Sequence, residues 1–173
     1  MTFAKENLDE YPQLNLGYFT EKAIYMALSK KGLEHKRDFE FHIKINNVPF
    51  NKNKKHEVDL VLTSQNGDRL YVEIKGQMTY LEVNKLKFLL ERSEHFYILQ
   101  LTEIDWIRPF NKEKEKEFEK SKNDFEKQIN ELVMFVNNKK TGEELSEISK
   151  KRLERYIKYR SKDLDRWKTD MQG

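Results

Sequence analysis

Three charged residues stand within two short apolar segments that are typical of β-strands. Asp59 lies in VDLVLT, residues 58–63, and Glu73 and Lys75 lie in LYVEIK, residues 70–75. Strands disfavour Asp, Glu and Lys, and such local violations concentrate at functional sites. Two neighbouring carboxylates supply the oxygen ligands that a hard cation such as Mg2+ needs, while the cation keeps part of its water shell. The pattern therefore predicts a carboxylate metal site with a lysine beside it.

The loop between the two strands decides whether these side chains meet. If the loop has two residues, 66–67, Asp59 lies on the face opposite Glu73. If it has three, 65–67, with Gly67 left-handed in a bulge, Asp59 faces Glu73 directly. Only the three-residue loop builds a metal site. It also gathers a clean apolar face for helix packing, made of Val58, Leu60, Leu62, Leu70, Val72 and Ile74.

The segments around this hairpin predict an α/β domain. A helix is predicted over 17–31, with Thr20 as N-cap and Gly32 as stop signal. The alternating segment 39–45 predicts a strand. A second helix is predicted over about 80–93 and a further buried strand over 96–101. The expected order is helix, three strands, helix, strand.

The composition changes after residue 110, where a charged segment with apolar residues at helical spacing begins. This spacing predicts one long amphipathic helix to about Asn138. A break over 137–142 is followed by a second long helix to about Asp170. We expect an α/β core over 1–110 and a hairpin of two long helices over 111–173.

The motif residues resemble those of a known family. Asp59, a 13-residue gap and then Glu73-Ile74-Lys75 resemble the motif of the PD-(D/E)XK, or restriction-endonuclease-like, nuclease superfamily, with Val58 in place of the motif proline. The order of elements over 17–102 resembles the αβββαβ core of that superfamily, a mixed central sheet flanked by helices. A Holliday-junction-resolvase-like branch is one candidate, and the C-terminal hairpin matches nothing general in the superfamily.

The resemblance implies a Mg2+-dependent deoxyribonuclease, in the first place an endonuclease. Asp59 and Glu73 would bind Mg2+, for which Mn2+ would substitute, and the Ile74 carbonyl would add a ligand. Lys75 would orient or activate the attacking water. Glu21 in the first helix matches an acid that often supplements the site, and Gln77 resembles a polar residue that follows the motif in several branches.

Simpler readings of these residues remain open. The hairpin charges also fit the solvent face of an ordinary sheet, with Glu73 and Lys75 in cross-strand pairs. Glu21 is favoured early in a helix by the macrodipole alone. His56 is expected at a loop end, facing solvent or the apolar side. A nuclease fold with a silent site, binding a protein partner or nucleic acid through its C-terminal helices, is the alternative function.

Basic residues predict contact with nucleic acid, most of all DNA. From residue 148 to 168 there are nine Lys or Arg against three acids, a surface that also fits a solvated helix, a protein interface or a dimer arm. The expected nucleic-acid-binding residues are Lys52, Lys54, Lys55, Lys151, Arg152, Arg155, Lys158 and Arg160.

The composition removes several classes of site and protein. The 173 residues include no cysteine, which excludes disulfides, thiolate metal sites and a cysteine nucleophile. The four histidines are scattered without a metalloprotease spacing. No apolar run is long enough to cross a bilayer, and no signal pattern precedes the first helix. We expect a cytoplasmic protein without membrane contact that is able to form a homodimer.

Overall fold

The computed structural model describes residues 18–76, 78–101 and 112–164, with the backbone alone for 18–19, 112–118, 121 and 163. Within these ranges the predicted order of helix, three strands, helix and strand is confirmed, and two long helices follow. The elements are α1 (Tyr18–Lys30), β1 (Phe39–Ile45), β2 (His56–Thr63), β3 (Arg69–Lys75), α2 (Tyr80–Leu90), β4 (His95–Gln100), α3 (Lys112–Val136) and α4 (Gly142–Arg160), with a final 3-10 turn at Ser161–Asp163.

The four strands form one mixed sheet in the order β1-β2-β3-β4. Strand β2 is antiparallel to both β1 and β3, and β3 and β4 are parallel. A parallel pair needs a long crossover, which α2 provides. The mixed α/β class predicted from the sequence is therefore confirmed.

Helices cover both faces of this sheet and bury two hydrophobic clusters. The first cluster joins one face to α1 and α3, through residues such as Ile24, Leu62 and Leu132. The second joins the other face to α2 and α4, through residues such as Leu86 and Leu153. The long C-terminal helices therefore bury side chains in the same core as the sheet.

Helix α1 ends where the sequence predicts. Gly32 has a φ of 89°, and the amides of Gly32 and Leu33 donate to the carbonyls of Ser29 and Leu28 at 3.0 and 3.1 Å. This is the Schellman arrangement, which favours glycine. The predicted N-cap at Thr20 is wrong, because the helix already includes Tyr18 and threonine is tolerated within a first turn.

The hairpin of α3 and α4 straddles the outer edge of β4. The predicted break between the helices is confirmed by Asn138, whose φ of 60° turns the chain, and by Thr141, which caps α4 with Glu144. Helix α4 starts directly against the sheet, since a Cβ on Gly142 would lie 2.8 Å from the His95 ring. The expected division at residue 110 falls in 102–111, outside the described residues, and stays a prediction.

Helical side chains satisfy the outward-facing backbone of β4. Ile98 donates its amide to Ser149 Oγ at 2.9 Å and accepts from Arg152 Nη1 at 3.0 Å. Gln100 donates to Gln128 Oε1 at 2.9 Å and accepts from Gln128 Nε2 at 2.8 Å. We call these three helical side chains, Gln128, Ser149 and Arg152, the edge clamp. They take the place of a fifth strand, because an edge strand otherwise presents unpaired backbone groups.

None of the helices in the described part of the chain combines the length and the apolar character that a membrane span requires.

Candidate functional site

The β2–β3 hairpin adopts the three-residue loop. Leu60 pairs with Val72 and Thr63 with Arg69, a register that, continued along the strands, sets Asp59 opposite Glu73. At the loop, Ser64 and Asp68 bond through their backbones at 2.8 Å.

Gly67 closes the loop in the conformation that a bulge requires. Its φ is 87°, and its amide donates to the Ser64 carbonyl at 2.9 Å. The predicted register, the feature on which the carboxylate pair depends, is therefore confirmed.

At the end of the β2–β3 ladder, the side-chain carboxylate of Asp59 takes the place of a backbone carbonyl as hydrogen-bond acceptor. Its Oδ2 accepts the amide of Ile74 at 2.8 Å. The N–H and C=O of one strand residue point to the same neighbouring strand, so the Ile74 carbonyl is also directed towards β2. The motif thus brings a side-chain carboxylate and a main-chain carbonyl to the same gap between the strands.

The electrostatics of Asp59 are those of a crowded, desolvated acid. Burial raises its pKa to about 6, and the neighbouring Glu73 carboxylate contributes to the rise. The Ile74 amide and the Lys75 ammonium act in the opposite direction. Desolvation is the larger cause of the rise, and repulsion by Glu73 is the second.

Glu73 is almost fully buried, with 2% of its surface exposed. Its Oε1 is hydrogen-bonded to Nε2 of His56, the first residue of β2. The His56 ring packs edge-on against Phe50, with a centroid distance of 5.6 Å. His56 stands at the end of the loop, as expected, but the sequence did not predict its bond to Glu73, which depends on the β1–β2 pairing that positions the start of β2.

Glu21 lies on the same helical stripe as Ile24 and Leu28 and is buried with them. Its carboxylate oxygens lie 3.0 and 3.3 Å from Nε2 of His42. Burial raises the pKa of Glu21, His42 opposes this, and the nearby Asp59 adds to the rise. The structure therefore brings Glu21 within electrostatic reach of the strand carboxylates.

His42 is the unusual residue of β1. Its φ of 59° is left-handed, and it stands opposite Asp59 in a register that is regular on either side. Its Nδ1 lies 3.7 Å from Glu57. Non-glycine residues in this conformation carry strain and cluster at functional sites. No residue pattern signals this backbone rotation, so His42 is not among the residues predicted from the sequence.

The rotation also changes one predicted face of the sheet. Leu60 packs in the first cluster, but Val58, two residues earlier, packs in the second beside Ile43. The prediction that Val58 shares the face of Leu60 is wrong, because strand alternation is interrupted between them at Asp59, where β2 meets His42. A regular strand would keep both on one face.

Lys75 ends β3 on the same side of the strand as Glu73. Its side chain is half-buried, and its carbonyl accepts the amide of Leu101 at 2.8 Å, which fixes the strand end against β4. Beyond it, Tyr156 of α4 holds the backbone of Met78 through two hydrogen bonds of 3.0 Å. Gln77, the remaining predicted site residue, lies outside the described residues.

The predicted nucleic-acid-binding lysines of the 51–55 loop are exposed. Lys52 and Lys55 line an open cleft of about 620 Å³ together with Lys44 and Glu57. Glu57 in the wall of this cleft approaches His42, the partner of Glu21. Lys54 shapes the loop through its left-handed backbone, with a φ of 56°.

The basic residues of α4 divide into two groups. Lys151, Arg155 and Lys158 are exposed, whereas Arg152 and Arg160 are half-buried. Arg152 belongs to the edge clamp and bonds inside the protein, so its environment differs from that of a solvated surface arginine.

A search of the described residues for three or more His, Asp or Glu side chains arranged to hold a metal ion found no such group. The chain was also compared with models of known protein families, with curated proteins and with solved structures, and no match was found.

Proposed function

We propose that the protein is a Mg2+-dependent nuclease that hydrolyses phosphodiester bonds in DNA on a restriction-endonuclease-like core. The observation that carries the proposal is the hairpin register, which sets Asp59 opposite Glu73 and leaves Lys75 on the Glu73 side of β3. The raised pKa of Asp59 supports it, because strongly perturbed acids are concentrated at functional sites.

The donor set fits a hard cation. Asp59 and Glu73 repel each other and are both desolvated, a situation that a divalent cation relieves. Mg2+ binds through one or two carboxylates and retains several waters, so a third acidic ligand is not required. The Ile74 carbonyl supplies a further oxygen at the same gap. When bound, Mg2+ lowers the pKa of an attacking water and stabilises charge on the phosphate.

Each side chain of the site then has a defined role. Asp59 and Glu73 hold the cation, and His56 keeps the Glu73 carboxylate in one orientation, as partners of metal ligands commonly do. Lys75 places its ammonium beside the attacking water or a phosphate oxygen. Glu21 and His42 add a hydrogen-bonded pair next to Asp59. The lysines of the 51–55 loop attract the phosphates of the DNA strand.

The test is DNA cleavage in Mg2+ or Mn2+, on plasmid, linear and four-way-junction substrates. The wild type should cut at least one of them, and EDTA, Asp59→Asn or Glu73→Gln should stop the reaction. The matched control is Asp68→Asn, the same change at an exposed carboxylate in the hairpin loop. Absence of cleavage, or cleavage untouched by the two site variants, would overturn the proposal.

A second candidate function is a silent nuclease-fold module that binds a protein partner or nucleic acid through α3 and α4. One observation favours it: Asp59 already accepts the Ile74 amide and Glu73 already bonds His56. Both carboxylates therefore have partners without a cation.

Metal binding separates the two functions. For the nuclease, Mn2+ should raise the melting temperature of the wild type and should not do so for Asp59→Asn, since binding to the folded state alone stabilises it. For the silent module, Mn2+ should leave both proteins unchanged, and partner binding should survive in EDTA.

A further inference from the structure

A cleft of about 380 Å³ opens between α3 and α4 where β4 ends. Its walls contain three cationic side chains and one carboxylate. The lining residues are Gln100, Asp124, Lys127, Gln128, Arg152 and Arg155. The cleft is therefore a positively charged concavity, whereas the carboxylate site is negatively charged.

Arg152 is fixed at the base of this cleft. Its Nη1 donates to the Ile98 carbonyl at 3.0 Å, to Gln128 Oε1 at 2.9 Å and to the Tyr97 hydroxyl at 3.4 Å. The guanidinium carbon also lies 5.6 Å from the centroid of the Tyr97 ring. A guanidinium held in this way is preorganised, because its flexibility is already lost before a ligand arrives.

The acceptors of Arg152 do not include a carboxylate. All of them are neutral, and among the described residues no carboxylate lies within ion-pair distance of Arg152, Lys127 or Arg155. Within the same residues, Nε and Nη2 of Arg152 make no hydrogen bond to the protein. One acid, Glu131, accepts from the Tyr97 hydroxyl at 3.0 Å and so reaches Arg152 only through Tyr97. The guanidinium can therefore still pair directly with an anionic ligand.

The two exposed cations stand beside this fixed arginine. Arg155 is three residues after Arg152 on α4, and Lys127 adjoins Gln128 on α3. Residues three apart on a helix project to the same side. An oxyanion in the cleft can therefore meet cations from both helices at once.

We propose that this cleft binds a phosphate group of a nucleic-acid strand. Three cations converging on one concavity suit a phosphate, and arginine is well matched to its oxygens. Gln100, in the cleft wall, is the register partner of Lys75, and neighbouring strands lie about 4.8 Å apart. This inference rests on the proposed nuclease function, which supplies the nucleic-acid substrate. The cleft would hold a phosphate of the same nucleic-acid strand that reaches Lys75.

The test measures binding without cleavage. Fluorescence anisotropy in EDTA would compare labelled single-stranded oligonucleotides that carry a 5′-phosphate or a 5′-hydroxyl, with inorganic phosphate as competitor. Arg155→Gln and Lys127→Gln should each weaken binding roughly fivefold to tenfold and flatten the salt dependence. These side chains are exposed, so their substitution leaves the fold intact.

Matched controls repeat the same substitutions elsewhere. Lys122→Gln changes an exposed lysine of α3 outside the cleft, and Arg69→Gln changes an exposed arginine at the start of β3. Both should bind like the wild type. A loss confined to the 5′-phosphorylated strand would identify a terminal phosphate as the ligand, and an equal loss with both strands would identify an internal one.

The outcomes also separate this site from the nuclease proposal. If Arg155→Gln and Lys127→Gln bind as tightly as the controls, the cleft is not a phosphate site, whatever the cleavage assays show. If both variants lose affinity while no substrate is cut in any metal, the phosphate site stands and the nuclease proposal fails. Arg152→Lys, which keeps the charge but loses the planar donors, should weaken binding as well.

Discussion

The carboxylate site and the edge clamp both bury polar groups against the sheet, but they do so in opposite ways. At the clamp, each outward backbone group of Ile98 and Gln100 meets a helical side chain at 2.8 to 3.0 Å. At the hairpin, like charges crowd together, the pKa of Asp59 is raised to about 6, and His42 adopts a left-handed backbone. Satisfied backbone groups stabilise a fold, whereas backbone strain and crowded like charges indicate a functional site.

The largest expected effect concerns activity at the carboxylate site. Lys75→Ala should lower the cleavage rate on the order of 100-fold, the usual cost of removing one preorganised charge from a reaction centre. Single-turnover cleavage with saturating Mg2+ measures it. The free energy of unfolding should change little, since this half-buried ammonium is not part of the clamp.

The control for Lys75 is Lys31→Ala, the same change at an exposed lysine at the end of α1, which should cleave at the wild-type rate. Lys75→Arg should recover part of the activity, because it keeps the charge but alters its position. An equal loss in Lys75→Ala and Lys31→Ala would remove the functional distinction between the hairpin and the rest of the surface.

The next effect concerns stability at the edge clamp. Gln128→Ala should lower the free energy of unfolding by about 2 to 3 kcal/mol, because it leaves the amide and the carbonyl of Gln100 without hydrogen-bond partners beneath the helices. Urea unfolding measures the change. The control is Glu126→Ala, at an exposed position on the same helix, which should stay within about 0.5 kcal/mol. A similar loss at both positions would show that the clamp adds nothing beyond helix propensity.

The third prediction uses pH to reveal the cost of keeping Asp59 charged in a buried position beside Glu73. Because the pKa of Asp59 is raised from 3.8 to about 6 in the folded protein, the folded state holds the proton more tightly than the unfolded state. Stability from this group is greatest below pH 3.8 and falls as the pH rises through about 6. Asp59→Asn should therefore stabilise the metal-free protein at pH 8 by about 1 to 2 kcal/mol.

The same substitution should have a much smaller effect at pH 4.5, where most of the wild-type Asp59 carries its proton. Urea unfolding in EDTA at the two pH values measures the difference, with Asp68→Asn as the matched change in the exposed loop. A destabilisation at pH 8 would mean that Asp59 is a structural residue like those of the clamp.

The smallest expected effect tests the loop that sets the register. Gly67→Ala should cost about 1 kcal/mol, because its φ of 87° disfavours a side chain, while nothing lies within 4 Å of the added Cβ. Gly76→Ala is the control, since Gly76 lacks a positive φ and its Cβ would make an ordinary contact at 3.9 Å. Equal costs at the two glycines would mean that the loop does not depend on the left-handed conformation.

The sequence predicted the framework of the hairpin because local rules decide it. Alternating apolar residues located the strands, and the requirement for one apolar face selected the three-residue loop around Gly67. These signals lie within about 20 residues, so they can be read from the sequence without knowledge of the tertiary fold.

Tertiary pairing decided what the sequence did not reveal. His42 and His56 reach the carboxylates only through the β1–β2 register and the rotated backbone at His42, and neither leaves a mark in the spacing of residues. Arg152 was predicted as a surface cation in a run of basic residues, but the wrapping of α3 and α4 around β4 turned it inward. Long-range pairing of this kind has no local signature.

The edge clamp also limits how copies of this chain can assemble. With the outer backbone of Ile98 and Gln100 occupied, β4 cannot accept a strand from a second molecule. Any sheet shared between two copies would have to form through β1, where exposed Glu40 and Lys44 and the kink at His42 oppose regular pairing. The four-stranded sheet of the described residues is therefore protected at both edges against open-ended growth into fibrils.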